Sequence, residues 1–472
     1  MSDIIEIIKE YMDELHLEEI DLTKSEHQTD IYGIVKARCP PNSVDEEVAL
    51  HRTYDACMIS MINKHISAIN EQLLTLNAIE THEQRTPGWY EQRMKLISAS
   101  DSKNACGNSA SEYYKKLVLK KLGIEEPMIG SADAMIHGTM YEIVSQRIYE
   151  TRFGVHLREY GCITHNTHSF IGASPDGIVN SAVDMNNLAQ ISRLGRMLEI
   201  KNPYSRIIDD KIKPEYAYQI QQQLEVCDLE LCDFLETNIR SAIRKMKPRS
   251  REVTVTPIYE SFADFMMDSL SMEDGIAQQN YGIPIGNNSK DGNERGVLLQ
   301  FKNTTNVGRS HLSVLYPIEI PYIGKEIEDW KAIVIAEMQS KGFQLEITHY
   351  WKLLEFDVKT VPRDREMWLK KILPGLTKFW REVETCRALS KEDLLERFKG
   401  MIELARPSQP IQPRVSQQNT YRFSDEVEET PTPISRPSSP KIVLVKKRSR
   451  YDPDPTAEST VKTNEIFRFS DE

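Results

Sequence analysis

The chain of 472 residues is short of three features that would narrow its class. Its seven cysteines are an odd number, widely spread and without a CxxC pair, so neither a disulfide framework nor a zinc ribbon is indicated. No run approaches the ~20 apolar residues of a membrane-spanning helix. The first residues, MSDIIEIIKEYMDEL, mix acids with apolar side chains and do not resemble a signal peptide. These absences predict a soluble, intracellular protein with no membrane partner.

Basic residues are also outnumbered, because 59 Lys and Arg face 71 Asp and Glu, for a formal net charge of −12. Nucleic-acid affinity depends on basic side chains that displace counterions from phosphates, so this balance alone argues against a nucleic-acid partner. The hydrophobic fraction of 40% and the mean hydropathy of −0.48 are ordinary for a globular protein. The length allows two or three domains and a substantial core.

Changes in composition divide the chain into four predicted regions. Residues 1–80 repeat apolar side chains at helical spacing and predict a small helical domain. Residues 81–260 mix short apolar runs with Gly, Pro and Asn and predict an α/β core. Residues 261–405 hold four of the five tryptophans and predict a mostly helical extension packed on that core. Residues 406–472 hold nine of the 23 prolines and no glycine, which predicts a disordered tail.

Two short features of the tail have alternative explanations. An aromatic-Arg-Phe-Ser-Asp-Glu motif occurs at residues 421–426 and again at 467–472. The copies either dock on a partner, with avidity strengthening a weak contact, or are a local duplication in a solvated tail. The basic run at residues 446–450 is a nuclear address, a phosphate contact or merely solvated charge.

Three charged residues stand where two short buried strands are predicted. An apolar run at residues 169–179 is interrupted at Asp176, and a second run at 197–201 contains Glu199 and Lys201. Side chains alternate along a strand, so Glu199 and Lys201 share one face, and Asp176 reaches them if the strands are neighbours. Two carboxylates and a backbone carbonyl suit Mg²⁺, and an adjacent lysine can orient or deprotonate water for phosphodiester hydrolysis. The alternative is an ion pair on an exposed strand edge.

Three neighbouring segments offer further polar groups. Glu142 stands off the apolar stripe of a predicted helix, where it is either solvated or faces a cleft. Gln219 and Gln221 belong to a glutamine-rich helix that follows the Glu-x-Lys strand. Arg93 precedes the hydroxyl-rich segment 97–101 at a predicted helix start, which is a natural seat for a phosphate.

Together these motifs resemble the YqaJ / lambda-exonuclease family of viral recombination nucleases, within the PD-(D/E)xK superfamily. The similarity covers about residues 85–240, and the polar insertion between Asp176 and Glu199 departs from the family pattern. In family order, the matching motifs are Trp89 with Arg93 and Ile97-Ser-Ala-Ser100, Gly138 with Glu142, Ser174-Pro-Asp176-Gly177, Leu198-Glu-Ile-Lys201-Asn-Pro203, and Gln219 with Gln221 and Cys232-Asp-Phe234.

The resemblance implies an α/β fold with a restriction-endonuclease-like core, in which helices flank a central mixed β-sheet, and helical additions at both ends. It implies a Mg²⁺-dependent exonuclease, with Mn²⁺ as a substitute, that digests duplex DNA ends from 5′ to 3′ in viral recombination, replication or repair. It places the metal ion on Asp176, Glu199 and the carbonyl of Ile200, with Glu142 nearby and Lys201 as the catalytic lysine. The implied DNA contacts are Arg93, Ser98, Ser100, Ser174, Gln219 and Gln221.

Basic clusters add one predicted contact and one predicted solvated face. The run at residues 240–251 follows the glutamine-rich helix and is predicted to contact the DNA backbone through Arg244, Lys245 and Lys247, with a solvated loop as the alternative. Two lysine pairs within residues 115–121 predict a solvated helix face.

Two rival functions and several partners complete the expectations. The rivals are a structure-selective endonuclease of the same fold and a non-catalytic DNA-end-binding recombination scaffold. The expected partners are duplex DNA ends, a second copy of the chain and, through the tail motifs, a single-strand-annealing or single-strand-binding protein. A viral protein of this kind is expected in the host cytoplasm, at a viral factory, or in the nucleus. The net charge of −12 then predicts that DNA contact is confined to one basic cleft.

Overall fold

A computed structural model describes residues 1–17, 19–124, 132–204, 206–241, 243–246, 254–257, 294–305, 311–318 and 324–399. All of them lie within one unit of the chain, Met1–Phe423. The helices are α1 (Ser2–Leu15), α2 (Ser25–Arg38), α3 (Val44–Met61), α4 (Asn63–Asn77), α5 (Pro87–Met94), α6 (Ser102–Ala105), α7 (Glu112–Lys121), α8 (Ala132–Phe153), α9 (Leu188–Ile191), α10 (Pro214–Cys227), α11 (Gly324–Ser340), α12 (Arg365–Met367), α13 (Leu373–Arg387) and α14 (Lys391–Arg397).

The strands form two sheets and a hairpin. They are β1 (Ile97–Ser98), β2 (Val155–Arg158), β3 (Ile163–Thr164), β4 (Ile171–Ala173), β5 (Gly177–Ala182), β6 (Met197–Lys201), β7 (Leu231–Ser241), β8 (Ile243–Met246), β9 (Thr254–Pro257), β10 (Arg295–Asn303), β11 (His311–Leu315) and β12 (Phe343–Pro362). The larger sheet has the order β11-β10-β12-β7-β6-β5-β2, and the smaller has the order β1-β4-β3. In the larger sheet β6 and β7 are parallel and the other neighbours are antiparallel. The predicted mixed sheet is confirmed.

Helices cover both faces of the larger sheet around β6, which is an interior strand because it lies between β7 and β5. On one face Met197 and Phe234 are buried with residues of α10 and α13. On the other face Leu198 and Ile200 are buried with Tyr141 and further residues of α8. Strands covered on both faces consist of nearly continuous apolar residues, and four of the five residues of β6 are buried. The helices thus flank the sheet, as the resemblance implies.

The predicted helices of the first 80 residues are present as α1–α4. Ile4, Ile7 and Ile8 recur on one face of α1 and are buried in a cluster with residues of α2 and α3. Leu188 of α9 belongs to the same cluster. The polar insertion between β5 and β6 therefore packs against the N-terminal helices.

The prediction of a mostly helical extension is wrong for the described residues between 294 and 362, where β10, β11 and β12 accompany the single helix α11. β12 is 20 residues long and lies between β7 and β10. The pairing of β12 with β7 shifts in register between Leu353 and Glu355. Buried residues follow one alternation at Trp351 and Leu353 and a shifted alternation from Phe356 onward. The alternation of buried and exposed residues is therefore not continuous along β12. The sequence alone does not predict this strand unless its partner strands are known.

The domain boundaries at residues 80 and 260 stay predictions. The predicted tail at 406–472 lies outside the described residues. In the part of the chain that the structure describes, no helix has both the length and the apolar character needed to cross a membrane.

Candidate active site

Strand pairing brings three of the four predicted catalytic residues together, Asp176, Glu199 and Lys201. Asp176 immediately precedes β5, whose first residue Gly177 pairs with Leu198 of β6. The Asp176 carboxylate accepts a hydrogen bond of 2.7 Å from the backbone N–H of Ile200. Because β6 lies between β5 and β7, the alternative of an ion pair on an exposed strand edge is wrong.

Glu199 is 1% exposed, and three side chains donate to its two oxygens. Lys201 forms an ion pair with Oε1, which also accepts a hydrogen bond of 2.7 Å from Gln219 Nε2. Gln223 Nε2 donates to Oε2 at 2.8 Å. Gln219 and Gln223 are four residues apart, so they share the face of α10 that is turned towards β6. The buried carboxylate is therefore held in one orientation.

Glu142 projects from α8 and forms an ion pair with Arg85. Both side chains are partly exposed, Arg85 by 33% and Glu142 by 26%. Arg85 has a left-handed backbone with φ 66°, which is uncommon for a residue other than glycine. The preceding Gln84 donates through Nε2 to the carbonyls of Tyr160 at 2.8 Å and Pro175 at 3.2 Å. This second contact connects the Arg85 segment to Pro175, the residue just before Asp176.

A buried polar network ties α8 to the end of β6. Ser145, one turn after Glu142, donates to Asn202 Oδ1 at 2.7 Å and lies 2.7 Å from the hydroxyl of Thr237. Asn202 Nδ2 donates to the carbonyl of Gly138 at 3.2 Å. Asn202 directly follows the strand that contains Glu199 and Lys201, so the network fixes the helix with Glu142 against that strand.

Like charges crowd this centre. Burial raises the pKa of Asp176 well above its ordinary value, and the charges of Glu199 and Glu142 add to the effect. Burial acts to lower the pKa of Lys201, but attraction to Glu199 and Asp176 outweighs it, and the pKa is raised. The same opposition, with Glu142 as the main attraction, raises the pKa of Arg85. The centre thus has three carboxylates and two cations.

The donor set fits a hard divalent cation. Asp176 and Glu199 supply carboxylate oxygens on adjacent strands, and such ions prefer oxygen ligands. Burial is the main cause of the raised pKa of Asp176, and a cation would relieve the further contribution from the charges of Glu199 and Glu142. Over the described residues no three His, Cys, Asp or Glu side chains converge closely enough to hold a metal ion. The third carboxylate of the centre, Glu142, is engaged by Arg85.

The predicted phosphate contacts gather around Trp89. Arg93 Nη2 donates to Ser98 Oγ at 3.0 Å and to Ser100 Oγ at 2.9 Å. Its guanidinium lies 4.2 Å from the centroid of the Trp89 ring, and Trp89 Nε1 donates to Ser174 Oγ at 3.1 Å. Ser100 is exposed while Ser98 is fully buried, so Ser98 contacts Arg93 from the interior of the protein. A ligand can reach Ser100 and, in part, Arg93 and Ser174.

The predicted solvated face within residues 115–121 is wrong for Lys121, whose side chain is 1% exposed. Its Nζ donates to the carbonyl of Arg93 at 2.9 Å and to Asp101 Oδ2 at 3.1 Å. Asp101 also accepts a hydrogen bond of 2.8 Å from Ser98 Oγ. Burial acts to raise the pKa of Asp101, but the charges of Lys121 and Lys120 lower it overall. A buried ion pair therefore underlies the Arg93 segment.

The prediction that Gln221 lines the cleft is also wrong. Gln221 is 5% exposed, its Nε2 donates to the carbonyl of Pro362 at 2.9 Å, and its Oε1 accepts from the N–H of Asp364 at 2.6 Å. Two residues along a helix correspond to a rotation of about 200°, so Gln221 and Gln219 point in nearly opposite directions. Gln222 is buried as well and joins β1 to β4 through their carbonyls.

The basic run after α10 is only partly described. Arg244 and Lys245 lie on β8, which pairs with β9. Lys247 lies outside the described residues. A DNA contact at these three residues stays a prediction.

Two residues of the centre are missing from the sequence-based set. Gln223 stands four residues after Gln219 in the glutamine-rich run, and this spacing could have identified it. Arg85 is 57 residues from Glu142, and no spacing rule links residues so far apart. Its position becomes evident only when α8 is placed against the sheet.

Comparisons with known proteins include a family model that covers this site. Residues 88–230 match the family model of the YqaJ-like viral recombinase domain. The chain is 28% identical over 354 residues to Uncharacterized protein R354 of Acanthamoeba polyphaga mimivirus. This alignment covers 71% of the chain and 58% of the mimivirus protein, so the chain spans less than two thirds of the length of that relative.

Two solved structures are similar to part of the chain. One is LHK-Exo in complex with dAMP, with 25% identity and a TM-score of 0.25 over 39% of this chain and 86% of that one. The other is an alkaline exonuclease (LHK-Exo) from Laribacter hongkongensis, with 24% identity and a TM-score of 0.26 over 42% of this chain and 94% of that one.

Proposed function

We propose, on the premise that this chain carries a YqaJ-like viral recombinase domain at residues 88–230, that it is a Mg²⁺-dependent DNA exonuclease. It hydrolyses phosphodiester bonds from duplex ends, from 5′ to 3′, in viral recombination, replication or repair, and Mn²⁺ can replace Mg²⁺. The observation that carries the proposal is the meeting of Asp176, just before the interior strand β5, with Glu199 and Lys201 of the adjacent interior strand β6.

In this proposal each group of the centre has one task. Asp176, Glu199 and the carbonyl of Ile200 hold the metal ion, with Glu142 nearby. When bound, the ion activates water and polarises the phosphoryl oxygen. Lys201, kept charged by its carboxylate neighbours, orients the water and offsets negative charge that develops on the phosphodiester.

Two sets of residues around the centre position the substrate and the catalytic acid. Gln219 and Gln223 keep Glu199 from rotating, because each donates to one of its oxygens. Arg93 and Ser100 bind the phosphate at the DNA end through charge-assisted hydrogen bonds, and Ser174 assists them. A basic group that also carries hydroxyl neighbours suits a terminal phosphate better than an internal one, which favours digestion from an end.

The direct test is Glu199→Gln, which keeps the shape of the side chain and removes its charge. With end-labelled linear duplex carrying a 5′-phosphate, we expect the rate in Mg²⁺ to fall by at least about 100-fold. Glu10→Gln is the matched control, since Glu10 is 54% exposed on α1. Full activity of the Glu199 variant would show that the site is elsewhere.

The choice between an exonuclease and its rivals depends on the substrate. We expect linear duplex to be degraded and a covalently closed circle to remain intact. Cleavage of the circle would favour the structure-selective endonuclease. Absence of cleavage of either substrate in both Mg²⁺ and Mn²⁺ would favour the DNA-end-binding scaffold.

A further inference from the structure

We propose that Arg85 is a built-in cation that occupies Glu142 in the metal-free centre and thereby sets the affinity of the site for a divalent ion. A metal ion that engages Glu142 has to compete with the Arg85 guanidinium for the same carboxylate. This inference rests on the proposed function, because it takes the acidic centre to be a metal site.

The ion pair between Arg85 and Glu142 is accessible to solvent and can be exchanged for another partner. Arg85 and Glu142 are 33% and 26% exposed, so water and ions reach the pair. By contrast, the side chains of the buried pair Arg152 and Glu294 are only 1% and 3% exposed. A pair at the rim of a cleft can open without stranding a charge in the interior, whereas a buried pair cannot. Exposure thus distinguishes the pair at the acidic centre from a purely structural one.

The backbone keeps Arg85 next to the acidic centre even when its ion pair with Glu142 is broken. Its φ of 66° lies in the left-handed region, where an arginine is maintained only if the surroundings require it. The hydrogen bond from Gln84 to the carbonyl of Pro175 supplies that requirement next to Asp176. Strained positions of this kind cluster at functional sites. The backbone conformation of the segment therefore directs the Arg85 side chain towards the acidic centre.

The charges determine the direction of the effect. Metal binding requires deprotonated carboxylates, and in that state Asp176, Glu199 and Glu142 contribute three negative charges while Lys201 and Arg85 contribute two positive ones, a formal net charge of −1. A divalent ion brings that sum to +1. Without Arg85 the sum is −2 before binding and zero afterwards, and the freed Glu142 can serve as a ligand. Removal of the guanidinium charge should therefore tighten metal binding.

The test measures Mn²⁺ binding to the full chain without DNA, by titration with paramagnetic resonance detection of free Mn²⁺. We expect Arg85→Gln to bind Mn²⁺ about tenfold more tightly than the unmodified chain. Arg85→Lys keeps the charge and should remain within about threefold. The matched control is Arg38→Gln, because Arg38 forms a comparable pair with Glu10 at 2.6 Å on the N-terminal helices. It should leave the affinity unchanged.

A double variant shows whether Arg85 acts through Glu142. In the Arg85→Gln, Glu142→Gln chain the tenfold gain should disappear, since no carboxylate is left to be freed. Glu142→Gln alone leaves the guanidinium uncompensated and should weaken Mn²⁺ binding by about tenfold, so the proposal is tested even if Arg85→Gln fails to fold. A thermal unfolding curve for each variant identifies such a failure.

The outcomes separate this inference from the function on which it rests. If Glu199→Gln abolishes Mn²⁺ binding but Arg85→Gln binds as the unmodified chain does, the metal site stands and the role of Arg85 is refuted. If Arg85→Gln binds more weakly, Arg85 supports the site and the proposed direction is refuted. If the unmodified chain binds no Mn²⁺, or Glu199→Gln leaves binding unchanged, the proposed function itself fails.

Discussion

Replacing Lys121 by Met tests whether the buried ion pair beneath Arg93 holds the phosphate-contacting segment. Met is similar in length and apolar, so the substitution removes the ammonium with little change in volume. It deletes the hydrogen bonds to the carbonyl of Arg93 at 2.9 Å and to Asp101 Oδ2 at 3.1 Å. Asp101 keeps Ser98 at 2.8 Å and the more exposed Lys120 at 3.3 Å as partners.

The expected loss follows from these contacts. Removing one partner of a buried pair costs about 3–5 kcal/mol, because the other charge is left buried. Two features reduce that figure here. Ser98 and Lys120 still stabilise the carboxylate of Asp101, and burial lowers the pKa of Lys121 despite its attraction to Asp101, so burying the ammonium is itself unfavourable. We expect the free energy of unfolding to fall by about 2–3 kcal/mol.

Urea denaturation followed by tryptophan fluorescence measures this loss. The matched control is Lys116→Met on the same helix, where the partner pair Lys116 and Glu112 is 35% and 69% exposed. Such surface pairs contribute about 0–1 kcal/mol, so the control should change little. The Lys121 variant should also lose preference for 5′-phosphate over 5′-hydroxyl ends, since the backbone of Arg93 is no longer anchored. Equal stability of the two variants would refute this account of the segment.

The difference between the unmodified chain and the Lys121 variant should depend on pH. The pKa of Asp101 is lower in the folded protein than in the unfolded chain, where it is about 3.9. Its contribution to stability is therefore complete above the unfolded pKa and is lost as the pH falls towards the folded value. The pKa of Asp101 rises when Lys121 is removed, so this acid-dependent contribution is smaller in the variant. The two unfolding free energies should converge below about pH 4.

Further substitutions test the two faces of α10 and a second buried carboxylate. Gln219→Ala removes one of the two donors to Glu199 Oε1, leaving Lys201 as the other, and should lower kcat by about 10-fold or more. Gln221→Ala should leave kcat unchanged and lower the free energy of unfolding by about 1–2 kcal/mol, and the reverse pattern would contradict the placement of these residues. Asp233→Asn leaves Arg193 and a second arginine without their buried acid, and we expect a loss of about 3 kcal/mol in thermal unfolding. A loss below about 1 kcal/mol would mean that the amide replaces the carboxylate as a hydrogen-bond acceptor.

The parts of the site that can be predicted from the sequence are those that lie within short local patterns. The strands around Asp176 and Glu199 are short buried runs, and such runs are recognisable because both faces of the sheet are covered. The order of motifs then indicates that these strands are neighbours, and the pairing of Gly177 with Leu198 agrees with it. Trp89 and Arg93 are found in the same way, as a motif whose members lie within one helix.

What the sequence conceals depends on contacts between distant segments. β12 is defined by pairing with β7 and β10, and its register shift removes the alternation that would predict it. Lys121 is concealed for the same reason, because its partner Asp101 belongs to a different element and makes a buried lysine acceptable. Gln221 is different, because helical spacing alone predicts that its side chain points away from that of Gln219.

The acidic surplus of the chain says little about DNA binding, because the partners of individual cations differ. Lys201 and Arg85 at the acidic centre each have a carboxylate partner, so their charges are locally neutralised. In the part of the chain that is described, Arg93 donates to two serine hydroxyls, and no carboxylate lies within ion-pair distance of its guanidinium. Its charge is therefore available to a phosphate, while Asp101 below it is neutralised by lysines. A net charge of −12 is thus compatible with one cationic contact point beside the acidic centre, which is the arrangement that a nuclease acting at a DNA end requires.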